Sequence, residues 1–339
     1  MPTTFAVLGA GAWGTAVAVH LAQNPQHRVR LWCARPESYR ELSECRENVR
    51  LLPGVPIPGE VTIIDDPEQA LASADLCVSA VPTVYLRITL HRLAGLVPRH
   101  VPVLSLSKGV EIDTFLRPTE ILSELWGTER LAVLSGPSHA EEVSRGLPTS
   151  LVAASADLDL ARWVQQCFTS DRFRVYTNLD VVGVELAGAI KNVIGIAAGI
   201  NDGLGFGDNA KSALLTRGLV EMARFGVALG AEHATCFGLA GLGDLMTTCF
   251  SPHGRNRRVG LRLAAGETLD DIVASTPMVA EGVYTARSVH ARALRMGVEM
   301  PITAEVYRVL YEGKSPQQAV NDLMLRSPKH EPAPSSSPS

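Results

Sequence analysis

Phe5-Ala-Val-Leu-Gly9-Ala-Gly11-Ala-Trp-Gly14 runs a short apolar strand straight into a G-x-G-x-x-G turn. The glycine spacing alone is common. Set after a strand and before a helical pattern, it is the opening of a dinucleotide-binding βα unit. Gly9 permits the tight turn, and Gly11 lets a pyrophosphate approach the backbone. Gly14 lets the next helix, expected over Thr15–Gln23, pack against the strand. Unpaired N–H groups and a partial positive charge at that helix start would face the phosphates. A glycine-rich turn without a ligand is the other reading, and the strand context counts against it.

Apolar runs bounded by turn residues continue at Val29–Trp32, Val61–Ile64, Leu76–Val81, Val101–Leu106, Leu131–Leu134 and Ser150–Ala154. Helical patterns lie between several of them, at Pro36–Glu47, Pro67–Ala72 and Val84–Leu96. Such alternation predicts an α/β fold with a doubly wound, mainly parallel sheet of Rossmann type, with Phe173–Thr177 at an edge. After about Asp180 the texture changes. Val181–Ile200 is apolar nearly all round, and only Glu185, Lys191 and Asn192 interrupt it. Those polar residues argue for a buried central helix rather than a membrane span. Further helical patterns follow at Asn209–Leu229, Arg255–Ala265, Leu269–Ser275, Gly282–Met296, Ile302–Leu310 and Pro316–Leu325. The expected organisation is a dinucleotide-binding domain over residues 1–180, an all-α domain over 181–326 and a disordered Pro/Ser-rich tail over 327–339.

With 339 residues, 46% hydrophobic and 19% charged, the chain can bury two cores. A net charge of −4 argues against a nucleic-acid partner, and Arg255-Asn-Arg-Arg258 suits a small anion better. The six cysteines are scattered without C-x-x-C or metal-ligand spacing, so reduced thiols and no metal are expected. No signal peptide is visible, and no apolar run approaches the ~20 residues of a bilayer span. A cytoplasmic protein acting on a small molecule is expected; a homodimer is the expected assembly, although nothing in the composition fixes it.

In open α/β sheets ligands lie beyond the carboxyl ends of the strands. Arg35 follows the second run, where an acid would select an unphosphorylated ribose. Its guanidinium could face a 2′-phosphate, favouring NADP(H), or be solvated. Ser107-Lys108-Gly109 puts an ammonium where cofactor and substrate should meet. Ser135-Gly136-Pro137-Ser138-His139-Ala140 opens a helix that could bind an anion or merely be capped by Ser138. Lys191, inside an apolar helix, must meet a carboxylate, a phosphate or a reacting oxygen. Burial lowers its pKa and suits it to proton transfer, although an ion pair with Glu185 would also satisfy it. Gly241-Leu-Gly-Asp244 offers a carboxylate, and Gly254-Arg255-Asn256 offers a guanidinium and an amide suited to phosphate oxygens.

Taken in order, Gly9–Thr15, Ser107-Lys108-Gly109, Gly136-Pro137-Ser138, Glu185–Asn192, Gly241–Asp244, Arg255-Asn256-Arg257 and Val279–Gly282 resemble the bacterial NAD(P)-dependent glycerol-3-phosphate dehydrogenases over roughly residues 5–325. The resemblance implies reduction of dihydroxyacetone phosphate to sn-glycerol 3-phosphate, the backbone of membrane phospholipids. It implies a catalytic set of Lys191, Lys108 and Asp244, with Lys191 as proton donor and acceptor. Substrate would be lined by Gly136, Ser138, Gly254, Arg255 and Asn256. Cofactor, NADPH somewhat ahead of NADH, would meet Gly9, Gly11, Ala12, Trp13, Gly14, Arg35, Lys108, Ala140, Arg255, Val279 and Glu281. The sequence departs from the family at Gly254, where a serine is usual, at Leu51, where a tyrosine is usual, and at Arg35, where the basic residue is displaced by one. A hydroxyacid dehydrogenase of similar build and a dinucleotide-sensing regulator are the rival readings, the latter lacking any visible DNA-reading module.

Overall fold

The structure is a computed structural model that describes residues 2–276, 278–328 and 331. Its strands are β1 (Thr3–Leu8), β2 (His27–Trp32), β3 (Glu47–Asn48), β4 (Leu52–Pro56), β5 (Val61–Ile64), β6 (Leu76–Ser79), β7 (Val103–Ser105), β8 (Leu131–Ser135), β9 (Thr149–Ala154) and β10 (Phe173–Asn178). Eight form one sheet in the order β10-β9-β8-β7-β6-β1-β2-β5, while β3 and β4 make a separate hairpin. All neighbouring pairs of the large sheet are parallel except β8 with β9. Phe5 and Val7 of β1 pack into one apolar layer and Ala6 and Leu8 into the other. The run is therefore apolar throughout because both of its faces are buried.

The first helix, Ala12–Leu21, begins three residues before the sequence expectation, because Thr15 N–H already donates to Gly11 carbonyl at 2.9 Å. Helices Pro118–Trp126 and Leu158–Phe168 were not anticipated. Their signals are local: Glu120 accepts from Arg117 N–H behind Pro118, and Asp157 accepts from Asp159 and Leu160 N–H. Helix Pro36–Cys45 stops at Arg46, in a left-handed conformation, and the chain turns into the β3–β4 hairpin rather than continuing to Glu47.

In the helical half, Val181–Gly203 forms one central helix. It is long and apolar enough to cross a membrane, contrary to the expectation that no run is, but 83% of its most apolar window is buried inside the protein. Helix Arg255–Ala264 crosses it closely. A Cβ on Gly199 would fall 2.0 Å from Arg257 carbonyl oxygen, and one on Gly260 would fall 2.0 Å from Ile196 carbonyl oxygen. That approach brings Asn192 and Asn256 together. Most of the Pro/Ser-rich stretch from 327 lies outside the described residues.

Candidate active site

Lys108 stands just past β7, on a turn fixed by Ser107, whose Oγ donates to Val81 carbonyl at 2.6 Å. Gly109 is needed there, since a Cβ would lie 2.5 Å from Glu281 Oε2 and 2.7 Å from Thr83 Oγ1. The Lys108 ammonium donates to Gly136 carbonyl at 2.9 Å, Ser138 Oγ at 3.2 Å and Asp244 Oδ2 at 2.8 Å.

Asp244 opens helix Asp244–Phe250 after one wide turn, Leu239–Gly243. A Cβ on Gly241 would sit 1.9 Å from Cys236 carbonyl oxygen, so only glycine lets that turn aim Asp244 inward. Its Oδ1 accepts from Lys191 Nζ at 3.0 Å, and Lys191 also donates to Thr248 Oγ1 at 2.7 Å. Thr248 lies four residues beyond Asp244, one helical turn along the same face. An ammonium has three N–H donors. All three of Lys108 are engaged, whereas among the described residues Lys191 has two partners and one donor left for a ligand.

Burial and the neighbouring Lys108 ammonium push the Lys191 pKa down to about 8, although Asp244 opposes them. Burial pulls the Asp244 carboxyl upward, but Lys108 and Lys191 more than offset it and hold it below the usual carboxylate range. Glu185 is not the partner of Lys191. It accepts from Arg117 Nη1 at 2.7 Å, Thr119 N–H at 2.9 Å and Thr119 Oγ1 at 2.7 Å, tying the central helix to the start of Pro118–Trp126.

A line of carboxamides holds the helical wall. Asn192 Nδ2 donates to Lys108 carbonyl at 2.9 Å, Asn256 Nδ2 donates to Asn192 Oδ1 at 2.8 Å, and Asn256 Oδ1 accepts from Gly282 N–H at 2.9 Å. Asn256 is thus largely committed to structure, with one N–H free for a ligand. Arg257 turns away to Asp202, 2.6 Å from its Oδ2. Arg255 opens to solvent, yet protein surrounds it closely enough to draw its pKa down, and Nη1 donates to Val279 carbonyl at 3.3 Å. Gly254 suits its place without the family's serine, because a Cβ would lie 2.8 Å from Thr248 carbonyl oxygen.

Ser138 does not cap a helix as one reading had it. Its hydroxyl donates to Gly136 carbonyl at 2.8 Å, and the helix after it, Ala140–Val143, has one turn. Sequence reasoning gave no role to Thr248 or His139. His139 has an Nε2 buried without a partner among the described residues, and burial beside the Lys191 ammonium lowers its pKa.

The glycine turn fits a dinucleotide. Gly9 has φ +108°, and a Cβ there would lie 3.1 Å from Ala80 carbonyl oxygen; one on Gly14 would lie 1.9 Å from Gly9 carbonyl oxygen. A Cβ on Gly11 would meet nothing within 4 Å, and no side chain caps the helix that follows. That is open space in front of unfilled N–H donors, the shape a pyrophosphate requires. Asn48 buttresses the turn, donating to Ala10 carbonyl at 3.1 Å and Thr15 Oγ1 at 2.9 Å. Trp13 Nε1 is buried without a partner among the described residues, and Arg35 is exposed past the end of β2. Along the cleft, Glu281 Oε1 accepts from Thr83 N–H at 2.7 Å, and burial raises its pKa to about 7. Among the described residues no group of three His, Cys, Asp or Glu side chains could hold a metal. A cavity of about 470 Å³ lined by Ser150, Tyr176, Asn178 and Thr235 lies apart from these groups.

Residues 4–161 match the model of the NAD-dependent glycerol-3-phosphate dehydrogenase N-terminus, and residues 180–321 match that of its C-terminus. The chain belongs to this family. A Chlorobium phaeobacteroides (strain BS1) protein named glycerol-3-phosphate dehydrogenase (NAD(P)+) is 49% identical over 328 residues, 96% of this chain and 98% of the relative. One of the same name from Geobacillus thermodenitrificans is 49% identical over 329 residues, 96% of this chain and 95% of the relative. The crystal structure of glycerol-3-phosphate dehydrogenase from Coxiella burnetii superposes with a TM-score of 0.92 at 38% identity, covering 96% of this chain and 99% of that one.

Proposed function

We propose that this member of the glycerol-3-phosphate dehydrogenase family reversibly reduces dihydroxyacetone phosphate to sn-glycerol 3-phosphate with NAD(P)H, supplying glycerophospholipid synthesis in the cytoplasm. The observation that carries the reading is the free third donor of Lys191, on an ammonium whose pKa lies at about 8 beside Asp244. Bound reduced nicotinamide supplies the hydride. Lys191 gives its proton to the oxygen that gains charge as the ketone is reduced, and a pKa near the working pH suits an acid that must be reloaded each turnover. Lys108, fully hydrogen-bonded and so fixed in place, stabilises that same oxygen electrostatically. Asp244 keeps both ammonium groups charged in a site that would otherwise favour neutral amines.

Arg255 and the free N–H of Asn256 hold the substrate phosphate, so binding energy remote from the carbonyl orients the reacting carbon. Gly136, Ser138 and Gly254 shape the space around it. Gly9, Gly11, Ala12, Trp13 and Gly14 hold the pyrophosphate end of the cofactor, while Ala140, Val279 and Glu281 line its path toward Lys108. Arg35, exposed and without a side-chain partner among the described residues, favours NADPH. The cofactor half takes residues 1–180 and the substrate half 181–326. The cytoplasmic assignment draws support from six free thiols, four of them buried. A homodimer is part of this reading, with the edge of β10, where Tyr176 is exposed, and the exposed Leu179 just past it as its candidate contact; sedimentation of the full chain checks it. Adding dihydroxyacetone phosphate to the chain with NADPH should remove the absorbance of the reduced nicotinamide. Faster turnover of a 2-oxo or 3-oxo acid would overturn the assignment.

A further inference from the structure

Outside the cleft, a second cavity of about 270 Å³ opens between the turn Ile112–Phe115 and one face of helix Glu281–Met296. Arg287, Arg292 and Arg295 line it, together with Ser288, and among the described residues the only carboxylate on its rim is Asp113. None of the three guanidinium groups makes an ion pair or a hydrogen bond among the described residues. The nearby Glu111 is taken by Arg87, which it holds at 2.7 and 2.9 Å, and Arg87 is shared further with Glu124. Arg292 is the informative member. Its Nε is buried without a partner among the described residues, and its guanidinium lies 5.7 Å from the centre of the Phe115 ring. The ring covers one flank of a guanidinium that also lines the cavity. Phe115 is itself fixed, in a left-handed conformation at φ +62° and edge-on to Phe225 at 5.7 Å.

Arg295 alone would be explained by the helix C-terminus, which favours a cation. Arg292 is not, because a buried N–H without an acceptor is costly, and like charges three residues apart on a helix repel. A bound anion would offset the repulsion between the guanidinium groups that line the cavity. We propose that this pocket binds a compact, multiply charged oxyanion of the phosphate or phosphate-monoester class, at a site separate from the catalytic cleft. The volume falls just below the usual range for small-molecule sites and has room for a phosphate-sized group. Arginine's planar fork is the donor that matches such oxygens.

The test is calorimetric titration of the full chain with inorganic phosphate, comparing the parent with Arg292→Gln/Arg295→Gln. The proposal expects the variant to bind one phosphate fewer per chain, whatever the parent total, so the result does not depend on phosphate also entering the catalytic cleft. Equal stoichiometry and affinity in the two proteins would overturn it. So would an unchanged phosphate stoichiometry accompanied by an altered sedimentation coefficient, which would assign the arginines to contact between copies of the chain. Should the double variant fail to fold, Asp113→Asn decides. Removing the rim carboxylate should tighten phosphate binding severalfold, and no change would count against the site.

Discussion

Lys191 Nζ lies 3.0 Å from Asp244 Oδ1, with only 9% and 4% of the two side chains exposed. A pair so enclosed is costly to bury, and the cost is offset here by the mutual attraction and the further bonds to Thr248 and Lys108. Lys191→Ala should lower kcat by about a hundredfold or more, the scale of a lost general acid. Single-turnover and steady-state rates measure it, and activity within tenfold of the parent would take Lys191 out of the role.

Asp244 sets the charge of Lys191, so Asp244→Asn should lower the Lys191 pKa below its value of about 8. Reduction needs the ammonium, and its rate falls as pH rises through that pKa. In the variant the alkaline fall should begin at lower pH. A pH–rate profile for reduction reads this directly, and an unshifted alkaline limb would contradict it.

Two glycines of the same turn should fail differently. Gly14→Ala drives a Cβ to 1.9 Å from Gly9 carbonyl oxygen and should destabilise the fold by about 1–3 kcal/mol. Gly11→Ala meets nothing within 4 Å and should stay within about 1 kcal/mol of the parent. Its methyl would nevertheless occupy the space reserved for the pyrophosphate, so the KM for cofactor should rise. Denaturant melts and cofactor titrations of both variants separate the two effects.

Arg35→Ala should raise the KM for NADPH about tenfold, the usual loss for a charge-assisted hydrogen bond, and leave that for NADH nearly unchanged. Equal effects on the two cofactors would remove Arg35 from the ribose phosphate.

Glu221 is buried and accepts from Ile302 N–H at 2.6 Å and Thr303 N–H at 3.2 Å, capping helix Pro301–Tyr311. Burial raises its pKa from 4.5 to about 7 despite those donors. Between these values the folded chain keeps a proton that the unfolded chain has released, so stability falls as pH rises across the window. The swing is on the order of 3 kcal/mol at most. Glu221→Gln should flatten the decline in Tm between pH 5 and about 7. An identical slope in parent and variant would refute this.

The strand, turn and helix at residues 3–21 were legible because their causes are local: an apolar run, glycine spacing and an uncapped helix start. Lys191 was legible for a similar reason, since a cation in an apolar helix demands a partner. Which partner was not legible. Glu185, six residues away, was available in the sequence, but Arg117 and Thr119 claim it, and Asp244 is brought to Lys191 only by the turn at Leu239–Gly243. Thr248 becomes visible once Asp244 is known to start a helix. The Asn192–Asn256 bond depends on two helices crossing at Gly199 and Gly260, a tertiary fact that no local pattern encodes.

Lys108 belongs to the sheet by sequence, but both its ends are held from across the cleft: the main-chain oxygen by Asn192 and the amine by Asp244. Its posture is therefore a property of the assembled molecule. Any motion that parts the lobes would take the carboxylate away and leave the amine on Gly136 and Ser138 alone, so its counter-charge is present only while the lobes meet.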